Sequence, residues 1–149
     1  MIKKKNTLFL ILIFSFITIN PSFGEMKSLK NKKTNVRLGP DITYPIKWYY
    51  KSKYYPVKII DKHYNWRKIR DFDNDTGWIH ISQLSNKKTV ITKHENVLIF
   101  SKATIYSKPK YKLGQNISFV IQKCKNKWCM VKNDKIHGWI KKSNLWGDF

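Results

Sequence analysis

The chain repeats itself around tryptophan, and that repeat limits what it can fold into. Asn65–Leu84, NWRKIRDFDNDTGWIHISQL, returns as Lys127–Leu145, KWCMVKNDKIHGWIKKSNL. Trp66 matches Trp128, Ile69 matches Val131, and Gly77-Trp78-Ile79 matches Gly138-Trp139-Ile140; Ser82 and Leu84 match Ser143 and Leu145. The offset is 62 residues at the first tryptophan and 61 from the glycine onward, so one residue is missing from the second turn. A period this long means two copies of one small domain, because solenoid units are shorter.

Each copy reads as a β-hairpin. A short strand at Trp66–Arg70 enters a polar turn, Asp71–Thr76, and a second strand begins at Gly77-Trp78-Ile79. A glycine before a strand tryptophan marks a bulge, a barrel corner or a close approach of another chain segment. Gly77 and Gly138 are therefore structural, together with Trp78 and Trp139. Trp66 and Ile69 are three apart, which under strict alternation puts them on opposite faces. Either a bulge intervenes, or one face is core and Trp66 is partly exposed. Trp128 and Val131 pose the same choice, and the sequence leaves it open.

The first 24 residues read as a secretory signal peptide. Lys3–Lys5 form the charged start, Leu8–Ile19 the apolar run, and Ser22 and Gly24 the small residues of a cleavage site after Gly24. The run is too short for an ordinary membrane-spanning helix. The mature chain is thus expected in the periplasm or outside the cell.

Beyond the leader, Asn35–Pro40 alternates as a strand and ends in a Gly39-Pro40 turn. Val57–Ile60 is β-branched, and Pro45 and Pro56 oppose helix. Thr89–Ile91 and Val97–Phe100 read as further strands. No segment after the leader carries a helical period. Ala103–Pro109 is the loose counterpart of Asn35–Pro40. The expected organisation is a leader at 1–24, a first domain at 29–86, a connecting segment at 87–96 and a second domain at 97–147. Each unit is close to the smallest size that folds alone, so packing the two together would help bury the aromatics.

These residues resemble the bacterial SH3 domains. The resemblance rests on Asn35-Val36-Arg37-x-Gly39-Pro40, Tyr44-Pro45, Trp66–Asp71, Gly77-Trp78-Ile79-His80 and Leu84-Ser85. The second unit, with Cys124, Trp128-Cys129, Gly138-Trp139 and Leu145-Trp146-Gly147, is similar to that of exported tandem proteins of alphaproteobacteria. One departure is Tyr54-Tyr55-Pro56-Val57, where the family usually has Gly-Leu before the proline. The resemblance implies an all-β chain of two tandem SH3-like barrels. It also implies envelope binding, often toward peptidoglycan or peptides.

Lys and Arg number 30 against 9 Asp and Glu, a formal charge of +21. Such a charge favours polyanionic partners: the carboxylates of a cell wall, anionic lipid or nucleic acid. Export argues against nucleic acid as a ligand. The plain alternative is a lysine-rich amino-acid usage, since the lysines are scattered along the sequence.

Cys124 and Cys129 flank an expected hairpin in an exported chain, which points to a disulfide. The enzymatic alternative is a thiol hydrolase or redox protein using Cys129 or Cys124 with His137 as base. His63, His80, His94 and His137 have no metal-ligand spacing. Asp71, Asp73 and Asp75 lack the glycine and glutamate of a calcium loop, so they read as a turn. Neither a metal nor a cofactor is expected. The densest aromatic cluster is Tyr44, Trp48, Tyr49, Tyr50, Tyr54 and Tyr55. The expected ligand surface is Tyr44, Trp48, Tyr49, Trp66 and Arg70 in the first unit, whose loop before Val57 reads as longer than its counterpart.

Overall fold

The computed structural model describes residues 24–149. The leader lies outside the described residues apart from Gly24. Fourteen strands form two seven-stranded sheets of identical topology. The first comprises β1 (Met26–Leu29), β2 (Thr34–Arg37), β3 (Ile46–Tyr50), β4 (Pro56–His63), β5 (Trp66–Arg70), β6 (Thr76–His80) and β7 (Leu84–Ser85). The second comprises β8 (Thr89–Thr92), β9 (Val97–Phe100), β10 (Pro109–Leu113), β11 (Ser118–Lys125), β12 (Trp128–Lys132), β13 (His137–Lys141) and β14 (Leu145–Gly147). The strand orders are 3-2-6-5-4-1-7 and 10-9-13-12-11-8-14. All the pairings are antiparallel. A single 3-10 turn precedes the last strand of each sheet, at Ile81–Gln83 and Lys142–Asn144.

Three expectations change. Thr89–Thr92, expected as a strand within the connecting segment, belongs instead to the second sheet, between β11 and β14. The counterpart of Asn35–Pro40 is not Ala103–Pro109. Arg37 pairs with Trp78, and Phe100 pairs with Trp139. The strand equivalent to β2 is therefore β9, with Asn35 answered by Leu98 and Arg37 by Phe100. The loops that follow, 38–45 and 101–108, have the same length. The next pair, 51–55 and 114–117, differs by one residue, so the first unit has hardly any extra loop.

The hairpins show why the repeated glycines stand where they do. A Cβ on Gly77 would run into Val36, and one on Gly138 into Ile99. Each glycine lets a neighbouring strand close over the core. The turn between β5 and β6 is folded by one carboxylate: Asp71 Oδ1 accepts from the backbone N–H of Asp73 (3.1 Å) and Asp75 (2.9 Å). Its other oxygen accepts from the Tyr50 hydroxyl at 2.8 Å. Asn133 does the same work in the second unit, accepting from the N–H of Lys135 and Ile136.

The two cores are joined through β8, all four residues of which are buried. Adjacent residues of a strand point to opposite faces. Val90 enters the second core, with Val97, Ile99, Phe119, Val131 and Ile140. Ile91 enters the first, with Leu29, Val36, Val57, Ile69 and Ile79. Trp146 of β14 packs on the first core too, its ring 5.7 Å from that of Phe72. The second sheet thus covers part of the first unit's core.

Candidate functional site

The register of β5 against β6 is unbroken, from Trp66 opposite His80 to Arg70 opposite Thr76, and the shift in its pairing with β4 falls on β4, between Ile59 and Asp61. Alternation therefore holds: Ile69 is fully buried, while Trp66 lies half-buried on the other face with Lys68 and Arg70. Of the two readings open in the sequence, the one without a bulge is the one realised in this strand.

On that outer face lies a groove of about 440 Å³, whose lining includes Asn35, Arg37, Asp41, Trp66, His80 and Gln83. The rings of His80 and Trp66 meet edge to face, with centroids 5.3 Å apart and planes 76° apart. Nδ1 of His80 bonds the Ser82 hydroxyl at 2.8 Å and accepts from the Ser82 N–H, which fixes the ring. Arg37 donates to the Tyr44 carbonyl at 2.7 Å. Asp41 accepts from the Thr43 N–H at 2.9 Å, a bond that holds its carboxyl below the usual carboxylate range. The groove thus offers an aromatic wall, a fixed cation, a fixed anion and amide groups.

The second unit differs at the same place: a hollow of about 430 Å³ beside Trp128 is bordered by Asn126, Lys127, Lys141, Lys142 and Ser143, with neither an arginine nor a carboxylate. Trp128, Met130 and Lys132 share the outer face of β12, whose register against β13 is again unbroken. Yet Trp128 is only 9% exposed, because Phe100 stands edge-on to it with centroids 5.4 Å apart. Lys141, at the position of His80, places its ammonium 5.8 Å from the same ring.

The five residues expected to bind ligand do not form one surface. Trp66 lines the groove. Tyr44 is exposed, but its ring lies on Gly39, where a Cβ would meet it at 2.5 Å, and its carbonyl positions Arg37. Trp48 faces inward, because it pairs with the buried Val36, and it packs on the first core with Tyr50. Tyr50 and Tyr55 stack at 5.0 Å in that core. Tyr49 is exposed between the ammoniums of Lys33 and Lys51. Arg70 is exposed at the far end of β5. The aromatic cluster is therefore divided between core and surface by strand alternation. Arg37, Asp41 and His80 were not expected in the site. The Asn35-x-Arg37 alternation and the match of Trp66 with a strand partner at His80 carried the signal for two of them.

Cys124 and Cys129 stand directly opposite each other on β11 and β12 and are joined by a disulfide. His137 Nε2 lies 3.0 Å from the Lys110 ammonium.

Sequence comparison places this geometry in a family. The model of the bacterial SH3 domain matches twice, over residues 30–86 and 93–147. The chain belongs to the bacterial SH3 domain family. These domains are binding modules of the bacterial cell wall. No curated protein matches the chain. Among solved structures, NlpC2 from Trichomonas vaginalis matches at 13% identity and a TM-score of 0.36, over 83% of this chain and 48% of that one. An NlpC/P60 family protein from Bacillus cereus matches at 12% identity and 0.38, over 83% and 56%. NlpC1 from Trichomonas vaginalis matches at 13% and 0.37, over 85% and 47%. The chain spans about half the length of these proteins, and the assignment to bacterial SH3 rests on the family match.

Proposed function

We propose that the protein is a noncatalytic binding module of the cell envelope, and that its first unit carries the ligand site in the groove beside Trp66. One observation carries this reading: the groove beside Trp66 is bordered by both Arg37 and Asp41, while in the second unit Phe100 stands at the position of Arg37, covers more of Trp128, and leaves a hollow bordered by lysine, asparagine and serine alone. Arginine presents a planar fork that suits a carboxylate. Tryptophan offers flat apolar area to a peptide backbone or a sugar ring. With Asp41 nearby, the groove suits a ligand bearing both a carboxylate and an amine, as a peptidoglycan peptide or a partner's tail does. The second unit supports the first through the shared core. Its disulfide fits an extracytoplasmic location, and cleavage after Gly24 would release a mature chain starting at Glu25. N-terminal sequencing of the exported protein tests that cleavage.

Binding is tested by pull-down with purified peptidoglycan at physiological salt, with anionic liposomes in parallel. Retention on peptidoglycan and its loss in Trp66→Ala support the reading. Retention on liposomes alone, abolished by moderate salt, would point to electrostatic adhesion to lipid instead. A thiol enzyme using Cys129 and His137 has less support, because both sulfurs are held in the disulfide.

A further inference from the structure

The lysines scattered along the sequence gather in the fold around Tyr54. A cleft of about 420 Å³ runs between the two units, lined by Lys32, Lys51, Lys53 and Tyr54 on one side and Asn116 and Lys135 on the other. Tyr54 and Lys53 also border a second hollow of about 620 Å³, shared with Lys30 and Lys87. Asp134 is the one carboxylate among the residues lining these two hollows. The ammoniums of Lys53 and Lys87 lie 4.8 and 5.3 Å from the centroid of the Tyr54 ring. Among the described residues neither lysine has a carboxylate within salt-bridge distance. Two like charges converge on one ring, an arrangement that an incoming anion would relieve.

Tyr54 stands in a backbone conformation that tyrosine disfavours. Its φ is +67°, in the left-handed region, and its N–H donates to the Leu29 carbonyl. The second unit repeats this turn at Asn116, with φ +61° and its N–H on Thr92. Asparagine adopts the left-handed region far more readily than a bulky side chain does. The two turns line the same cleft, so the chain itself shows which residue suits the backbone. At Tyr54 the backbone gains nothing from the side chain, and the ring's visible role is to hold Lys53 and Lys87. Strained positions of this kind cluster at ligand sites.

The cleft is also preformed. Ile91 and Trp146 of the second unit pack on the first core, and Ser52 Oγ meets Ser118 Oγ at 2.9 Å across the junction. A concave, lysine-lined channel between two fixed bodies fits a linear chain better than a flat bilayer.

We propose that this inter-unit cleft, with Tyr54 at its edge, is a second binding site, for a linear acidic glycan. The anionic groups of the chain would sit among Lys53, Lys87 and the lysines of the cleft, away from the groove beside Trp66. The test is isothermal titration of the mature protein with a short oligogalacturonate, and with phosphatidylglycerol vesicles in parallel, at physiological salt. The expected result is saturable binding of the oligosaccharide, weakened at least tenfold in Tyr54→Asn and in the Lys53→Gln/Lys87→Gln double variant. Both variants should keep the wild-type melting temperature or exceed it, and Trp66→Ala should bind the oligosaccharide as wild type does. Absence of binding, or undiminished binding by folded Tyr54→Asn, would overturn the proposal. So would tighter binding to vesicles that depends on the same lysines, which would assign the surface to lipid. Loss in Trp66→Ala would merge the cleft with the groove and overturn it as a separate site.

Discussion

Phe100 stands edge-on to Trp128 at 5.4 Å, in the register position that Arg37 holds in the first unit. With that exchange of residue type Trp128 is covered further than Trp66. This gives Trp66 and Trp128 different expected behaviour despite their equivalent places. Trp66→Ala should cost less than about 1 kcal/mol, as surface changes do. Trp128→Ala should cost about 3 kcal/mol, because it empties a packed place beneath Phe100. Denaturant titration of the two variants measures the difference.

Arg37→Phe should turn the first unit into a likeness of the second. The new ring would cover Trp66 and remove the cation together. Peptidoglycan retention should fall at least tenfold with no loss of melting temperature. Tryptophan fluorescence quenching by iodide would report the covering directly, falling in the variant.

The shared strand predicts cooperative unfolding of both units. Ile91 belongs to the second sheet by pairing and to the first core by packing. Ile91→Ala should cost about 2–4 kcal/mol. Calorimetry should show one transition, moved down as a whole. A first unit that melts separately in this variant would contradict the joined core.

Much of this was legible in the sequence, and the rest was hidden for identifiable reasons. The repeat of Trp, Gly-Trp and Ser-x-Leu fixes two hairpins, and alternation from Ile69 narrows the place of Trp66 to two options. The equivalence of β2 with β9 was not legible, because Thr-Asn-Val-Arg and Val-Leu-Ile-Phe agree at no matched position and are aligned only by pairing with Trp78 and Trp139. The division of Trp48, Tyr49 and Tyr50 between core and surface depends on the register of β3, which has a bulge opposite Val36 and Arg37. Burial of both faces of β8 depends on a neighbouring domain, and no local pattern encodes it.

Alkali should unfold the protein through its first core. Burial, and then the bond to Asp71, push the Tyr50 hydroxyl far above the ordinary tyrosine value. Burial, and then the charge of Asp71, do the same to Tyr55. In the unfolded chain both ionise near pH 10. Their raised folded values mean that the unfolded state loses protons first. The stability they contribute is fully present below about pH 10 and is lost as pH rises beyond it. Melting temperature should decline above that pH, and less steeply in Tyr50→Phe. A flat profile between neutral pH and strong alkali would contradict the burial of these hydroxyls.

The disulfide closes a short hairpin, with a sequence separation of 5. Loop-closure entropy for so short a loop gives about 2 kcal/mol. Cys124→Ser/Cys129→Ser should lower stability by about that amount and leave peptidoglycan retention by the folded variant unchanged. Alkylation of the exported, non-reduced protein followed by mass spectrometry should find neither thiol modified. Modification of both thiols would contradict the bridge in the native protein.

The central claim is that the open groove of the first unit binds the envelope ligand. It is tested most directly by measuring peptidoglycan retention at physiological salt for Trp66→Ala and for a Phe100→Leu control, with folding checked by circular dichroism. The account predicts at least a tenfold loss for folded Trp66→Ala and wild-type retention for Phe100→Leu. Wild-type retention by Trp66→Ala, or an equal loss in both folded variants, would contradict it.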